Sequence, residues 1–258
     1  MQLLETAQGV VHYRLDGAED VPVMVMLNSL GTDLRIWDDL VERLTPSWRV
    51  LRYDLRGHGL TPATPGPYSM ELLASDLLAL LDALGIDRFA LCGLSIGGMI
   101  ALQVAAHAQG RVTHLALCDT TMKMPEPAMW HERARQARDE GLEAMADAAI
   151  ERWFTPAVRR TPFAAGVRTM VARTSAEGYA ACCEAIAAMD LELLAQKVEA
   201  PTRVFVGEHD PATPVAAADA ICKAIPQAEL TVMPGLYHLA CIERPDLFLP
   251  AMERFLSP

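Results

Sequence analysis

Gly93-Leu94-Ser95-Ile96-Gly97 reads G-x-S-x-G, and its surroundings give that short pattern its meaning. The run before it, Arg88-Phe89-Ala90-Leu91-Cys92, is short, apolar and bounded by turn residues, as a buried strand is. The run after it, from Gly98 to His107, has the length and composition of a helix. A strand, a glycine-flanked serine and then a helix is the context of a nucleophile elbow. The glycines permit a turn too tight for side chains, which lifts the serine hydroxyl above the sheet edge and points a helix N-terminus at it.

A serine alone is a poor nucleophile, so the elbow calls for an acid and a base further along, in the order Ser, Asp, His. Arg203-Val204-Phe205-Val206-Gly207 is strand-like and leads into Glu208-His209-Asp210-Pro211, which puts Asp210 at a strand end, on the loop edge where open sheets place their chemistry. A helical stretch from Val215 to Ile225 and a last strand, Glu229 to Met233, follow. His238 is the one histidine of seven in a loop after that final strand. Asp119, at the end of the strand Val112–Cys118, is the alternative acid. Asp54 ends the strand Arg49–Tyr53 and opens Arg56-Gly57-His58-Gly59, a turn expected to be held by side-chain hydrogen bonds. Donors for an oxyanion are expected from the backbone N–H of Ile96, after the serine, and of Leu30 in Asn28-Ser29-Leu30-Gly31, the loop after an early strand.

Outward from the elbow, strand and helix patterns alternate from residue 1 to about 120. A hairpin spans 2–16, strands lie near 22–28, 49–54, 88–93 and 112–118, and helices near 35–44, 69–84 and 96–108. With the two late strands this predicts an α/β fold: a mostly parallel eight-stranded sheet flanked by helices. From about 122 to 195 no strand pattern appears. Four short helical patterns, broken near Gly141, Pro156 and Gly178, read as an all-helical cap (122–195) inserted into a core of 1–121 and 196–258 and roofing the loop edge.

The chain of 258 residues is 52% hydrophobic and carries a net charge of −11. The first figure excludes disorder, and the second argues against nucleic acid or an anionic membrane surface as partner. Six scattered cysteines show no metal-binding spacing and read as reduced thiols of a cytoplasmic protein. No signal peptide or membrane-spanning stretch is visible.

The pattern resembles the α/β-hydrolases with a helical cap and, more narrowly, the 3-oxoadipate enol-lactonases of bacterial aromatic catabolism. Asn28–Gly31, Leu51–Asp54 with Arg56–Gly59, and Gly93–Met99 carry the match in the core, with Gly207–Pro214 completing it. Glu151–Pro156 and Glu177–Cys183 carry it in the cap, where sequences diverge with substrate. Leu236–Cys241 departs from the family at Tyr237 and Cys241. The resemblance implies hydrolysis of an anionic enol-lactone by Ser95, with His238 as base and no metal or organic cofactor. The substrate carboxylate then calls for a cation under the cap. Trp130 and Arg133, spaced i, i+3 on one predicted helix, are the candidates, although Arg133, Arg135 and Arg138 also fit a solvated helix face. A carboxylesterase or perhydrolase-like enzyme of the same fold is the nearest rival. A ligand receptor on this scaffold is the rival from another class.

Overall fold

The structure is a computed structural model describing residues 1–256. The chain opens with a hairpin, β1 (Gln2–Thr6) and β2 (Gly9–Asp16), followed by β3 (Val23–Leu27). A 3-10 turn at Leu34–Trp37 leads into α1 (Asp38–Leu44) and β4 (Arg49–Tyr53). Next come α2 (Met70–Ala83), β5 (Phe89–Leu94), α3 (Ile96–His107) and β6 (Val112–Cys118). Five helices intervene before the next strand: α4 (Pro127–Glu140), α5 (Glu143–Trp153), α6 (Pro162–Arg173), α7 (Ala176–Ala188) and α8 (Glu192–Ala195). The chain then closes through β7 (Thr202–Gly207), α9 (Val215–Ala224), β8 (Glu229–Met233), α10 (Ala240–Glu243) and α11 (Pro245–Leu256).

The eight strands form one sheet in the order β1-β2-β4-β3-β5-β6-β7-β8. Only the β1/β2 and β2/β4 pairings are antiparallel. From β4 to β8 every pairing is parallel. Every residue of β5 is buried, as a strand covered on both faces must be, and its apolar run has no alternation to betray a wet side. Helix α3 is likewise buried from Ile96 to Ala106, which suits its uniformly apolar sequence. All parallel strands end on one edge, so Leu27, Leu94, Cys118 and Gly207 hand over to loops on the same side of the sheet. The strand order and directions are those expected of an α/β-hydrolase sheet. No helix among the described residues is long and apolar enough to cross a membrane.

The helices between β6 and β7 depart from expectation in two places. The expected break near Gly178 is absent: the chain turns at Thr174 and Ser175, and Gly178 lies inside the first turn of α7. Ser175 caps that helix by accepting a hydrogen bond from the Gly178 N–H, which favours a start there over a stop. The glycine serves a contact, because a Cβ at Gly178 would collide with the backbone of Gly57, and one at Gly57 with the backbone of Gly178. Helix α8, a single turn, is a fifth helix where four patterns were expected.

Candidate active site

Ser95 stands at the joint between β5 and α3, with φ 56° and ψ −118°, a conformation that costs a non-glycine residue on the order of 1–3 kcal/mol. The joint is locked around it. A Cβ on Gly93 would overlap the backbone of Gly97, and one on Gly97 would overlap that of Leu27. The Ser95 N–H donates to the Cys118 carbonyl (2.9 Å), and the Thr120 hydroxyl donates to the Ser95 carbonyl (2.7 Å). The backbone therefore has one conformation available, and the hydroxyl is held at the sheet edge.

The loops after β7 and β8 deliver Asp210 and His238 to the same place. His238 Nε2 lies 2.9 Å from Ser95 Oγ, and its Nδ1 lies 2.8 Å from Asp210 Oδ2. Thr213 donates its hydroxyl to Asp210 Oδ2 (2.7 Å), while the N–H groups of Ala212 and Thr213 donate to Oδ1 (2.8 and 3.1 Å). Burial pushes the Asp210 carboxyl up, but the facing His238 and the Thr213 bonds outweigh it and hold it below the usual carboxylate range. An ionised Asp210 accepts from Nδ1–H, which leaves the Nε2 lone pair to accept the Ser95 proton. The arrangement is chemically a relay from nucleophile to base to carboxylate.

Asp119, the alternative acid, does something else. Its Oδ1 accepts the Gly207 N–H (2.8 Å) and its Oδ2 the Ala240 N–H (3.2 Å). It thus ties the loop carrying Asp210 to the loop carrying His238, without meeting the histidine ring itself. Burial and the charge of Asp210 raise its carboxyl well above the usual range, against the two backbone donors. His209 turns an exposed ring toward Tyr237.

The loop of residues 28–32 is fixed at each end. Asn28 donates to the Tyr53 carbonyl (2.9 Å) and accepts from Trp37 Nε1 (3.0 Å), and the Thr32 N–H and hydroxyl both donate to the Ser29 carbonyl (3.1 and 2.8 Å). The Gly31 N–H donates to His58 Nε2 (3.0 Å), while His58 Nδ1 lies 3.1 Å from the Arg56 carbonyl. Those two contacts require the Nδ1–H tautomer of neutral His58. Burial favours it and lowers the ring below the usual histidine range, against the Arg56 carbonyl and the charges of Asp54 and Asp33. Among the described residues the Leu30 N–H finds no acceptor. Ile96 is the first residue of α3, where N–H groups have no intrahelical partner. Sequence reading saw the Arg56–Gly59 turn but gave His58 no task. Asp54 does organise that turn, accepting from the Leu34 and Leu60 N–H groups (2.8 Å each) and meeting His12 Nδ1 at 2.7 Å.

Over this edge lie α4 to α7. Trp130 is buried on α4, and the Arg133 guanidinium stacks over its ring at 4.5 Å. No hydrogen bond joins either to Ser95, Asp210 or His238. Arg152, on the last turn of α5, was not singled out from the sequence; it is half-buried beside Arg133 and Tyr179. Ser95 is 9% exposed and His238 3%. Among the surface hollows of the described residues, one of 630 Å³ between α5 and α6 and one of 330 Å³ by His12 and Arg173 do not reach Ser95. Among the described residues, no group of three His, Cys, Asp or Glu stands together as a metal site would. All six cysteines are free.

A family model described as "alpha/beta hydrolase fold" matches residues 22–245. The chain is 36% identical over 255 residues to 3-oxoadipate enol-lactonase 2 of Acinetobacter baylyi, covering 98% of this chain and 95% of the relative. It is similar to the crystal structure of the enol-lactonase from Burkholderia xenovorans LB400, with TM-score 0.96, 40% identity and all of both chains covered. The malate-bound esterase of Thermogutta terrifontis matches at TM-score 0.90 and 30% identity, over 99% of this chain and 98% of its own.

Proposed function

The chain belongs to the alpha/beta hydrolase family as an ester-hydrolysing enzyme, and within that family we propose that it hydrolyses 3-oxoadipate enol-lactone to 3-oxoadipate. The observation carrying this reading is similarity that runs the full length of enol-lactonases from two genera, through the helices over the site as well as the sheet below. The hydrogen-bonded line Ser95–His238–Asp210 supports the chemistry.

In this reading Ser95 Oγ attacks the lactone carbonyl as His238 Nε2 takes its proton. The N–H groups of Leu30 and Ile96 receive the developing oxyanion; each such donor contributes roughly 2.7–4 kcal/mol to the transition state. The ring C–O bond breaks, the leaving enolate collects the proton from His238, and its keto form cannot easily re-close the ring. A water, deprotonated by His238, then releases the acyl group and restores Ser95. Asp210 holds the ring and balances the imidazolium. The steps call for neither metal nor organic cofactor. Trp130 and Arg133 are the proposed substrate contacts, Arg133 for the carboxylate. The role belongs to cytoplasmic breakdown of aromatic compounds.

A carboxylesterase of broader taste is the second reading, favoured by the 30% identity to the Thermogutta terrifontis esterase. Purified protein assayed on the enol-lactone and on p-nitrophenyl acetate separates the two. The enol-lactonase reading expects kcat/KM at least about 100-fold higher on the lactone, as a charge-assisted contact worth roughly 1.5–3 kcal/mol implies. Equal values on both substrates would leave a general esterase.

A further inference from the structure

The loop of residues 28–32 is pinned at both ends and in the middle. Asn28 uses both ends of its amide, on the Tyr53 carbonyl and on Trp37 Nε1. The Ser29 carbonyl accepts twice from Thr32, and the Gly31 N–H donates to His58. The Gly31 carbonyl accepts from the Thr174 hydroxyl (3.3 Å), which ties the loop to the turn between α6 and α7. Against this background two neighbouring donors have no acceptor. One is the Leu30 N–H, and the other is the Ser29 hydroxyl, which is buried and without a partner among the described residues. Ser29 is 1% exposed, so bulk water does not serve it. A buried hydroxyl left in this state costs roughly 1–3 kcal/mol, and alanine would fill the same space without that cost.

Covalent geometry keeps these two donors together. Four bonds separate Ser29 Oγ from the Leu30 nitrogen, so no rotamer can place them more than about 5 Å apart. Packing then brings the pair to the elbow. A Cβ on Gly97 would lie 2.8 Å from the Asn28 carbonyl oxygen, so the peptide that leads into Ser29 rests against the first turn of α3. There the Ile96 N–H is also without an intrahelical partner. Two donors on the loop and one on the facing helix thus border the Ser95 joint. The loop's other bonds stop it from turning away to satisfy its own.

We propose that the Ser29 hydroxyl is a third oxyanion donor, acting beside the N–H groups of Leu30 and Ile96 on the oxygen that becomes negative when Ser95 attacks. The proposal rests on the reading of Ser95 as the nucleophile and adds a catalytic side chain to it. In the free enzyme the hydroxyl is unpaired and lowers stability. In the tetrahedral intermediate it gains a charged acceptor. A donor whose full partner exists only there favours the transition state over bound substrate, so it acts on kcat far more than on KM. No bond is made to Ser29: its proton stays on Oγ and is shared with the oxyanion. The acyl chain does not enter, so the hydroxyl acts on the enol-lactone and on simple esters alike.

The test is Ser29→Ala, measured for activity and for stability. On both the enol-lactone and p-nitrophenyl acetate, kcat should fall on the order of 100-fold, with KM changed less than about threefold. Tm should stay level or rise, since the variant removes an unpaired buried hydroxyl. Lost activity with undiminished stability is a pairing that a merely structural hydroxyl would not give. Ser29→Cys, which fills the space with a poor donor, should lose activity as the alanine variant does. Inhibition by 1,1,1-trifluoroacetone, which adds to Ser95 as a hemiketal anion, should weaken by a similar factor. A kcat within about twofold of wild type in Ser29→Ala overturns the proposal, and so does a clear drop in Tm alongside the lost activity. Ser95→Ala keeps the two readings apart. If it is inactive while Ser29→Ala is not, the third donor fails and the nucleophile stands; if it stays active, the nucleophile itself is misassigned. A preference for p-nitrophenyl acetate with the same dependence on Ser29 would remove the enol-lactone reading and leave the third donor.

Discussion

The Ser95–His238–Asp210 line at the sheet edge and the Trp130–Arg133–Arg152 group above it differ in how far their polar atoms are satisfied. Along that line and at His58 every polar side chain has a partner in the fold: Asp210 takes three donors beside His238, and His58 uses both ring nitrogens. Above them, Arg133 stacks on the Trp130 ring, but neither it nor Arg152 has a carboxylate in ion-pair range, and Trp130 Nε1–H has no acceptor. Helices α4 to α7 pack through buried apolar side chains such as Ala137, Ile150, Val167 and Ala180, and carry partly exposed ion pairs at their surface, Arg138 with Glu177 and Glu184, and Arg168 with Glu143 and Asp147. A satisfied group keeps one geometry whether or not substrate is there. An unsatisfied one keeps hydrogen-bonding capacity that a ligand could use. In the proposed reading the sheet edge sets the rate of bond breaking, and the helices above it set which molecule is broken.

The hardest blow to that division should come from the core. Ser95→Ala and His238→Ala should each lower kcat on the order of 10⁶-fold, and the double variant should be little worse, since the residues act as one unit. Residual activity of a tenth in Ser95→Ala, measured by initial rates, would move the chemistry elsewhere.

Asp210→Asn should fold normally and lose roughly 10⁴-fold in kcat, because the amide favours the wrong histidine tautomer. Asp119→Asn should lose less than about tenfold, as Asp119 joins two loops without touching the ring. The reverse ranking would put the acid at the end of β6.

A smaller effect should follow pH. His58 is lowered in the folded protein, so the unfolded chain binds a proton first as pH falls. Its contribution to stability is complete above the unfolded value of about 6.5 and is lost progressively below it. A protonated Nε2 would also face the Gly31 N–H donor to donor, releasing the oxyanion loop. Chemical denaturation at pH 7 and pH 5.5 should show this loss in wild type and less of it in His58→Gln. Equal slopes would free His58 of the role.

The least effect should come from the cap's surface. Arg138→Ala removes both ion pairs, yet the pairs are partly exposed and screened, so Tm should fall by no more than about 3 °C. A calorimetric loss of 10 °C would mean that the cap is held far more tightly than its exposed charges imply.

The fold was legible because its signals are local. The apolar run before Ser95, the glycines around it and the loop positions of Asp210 and His238 can each be read within a few residues, and chain order then aligns them. What escaped depends on contact across the chain. Gly178 looks like a helix breaker until Gly57 is found against it, about 120 residues away in sequence. His58 gains its task only when the Gly31 N–H arrives from another loop. Arg152 looks like any helix-surface arginine, and its lack of a partner is a fact about its neighbours. Arg133 and Trp130 shared a face in the sequence reading and do so in the structure, where their stacking is the i, i+3 contact itself.

The turn that holds Ser95 has one more consequence. A residue at φ 56° and ψ −118° sits where glycine would rest at lower free energy. Drift under pressure for thermal endurance alone would therefore replace the serine, and Ser95→Gly should melt above Ser95→Ala, which keeps the strained Cβ. The serine at this turn thus exchanges durability for a hydroxyl placed to react.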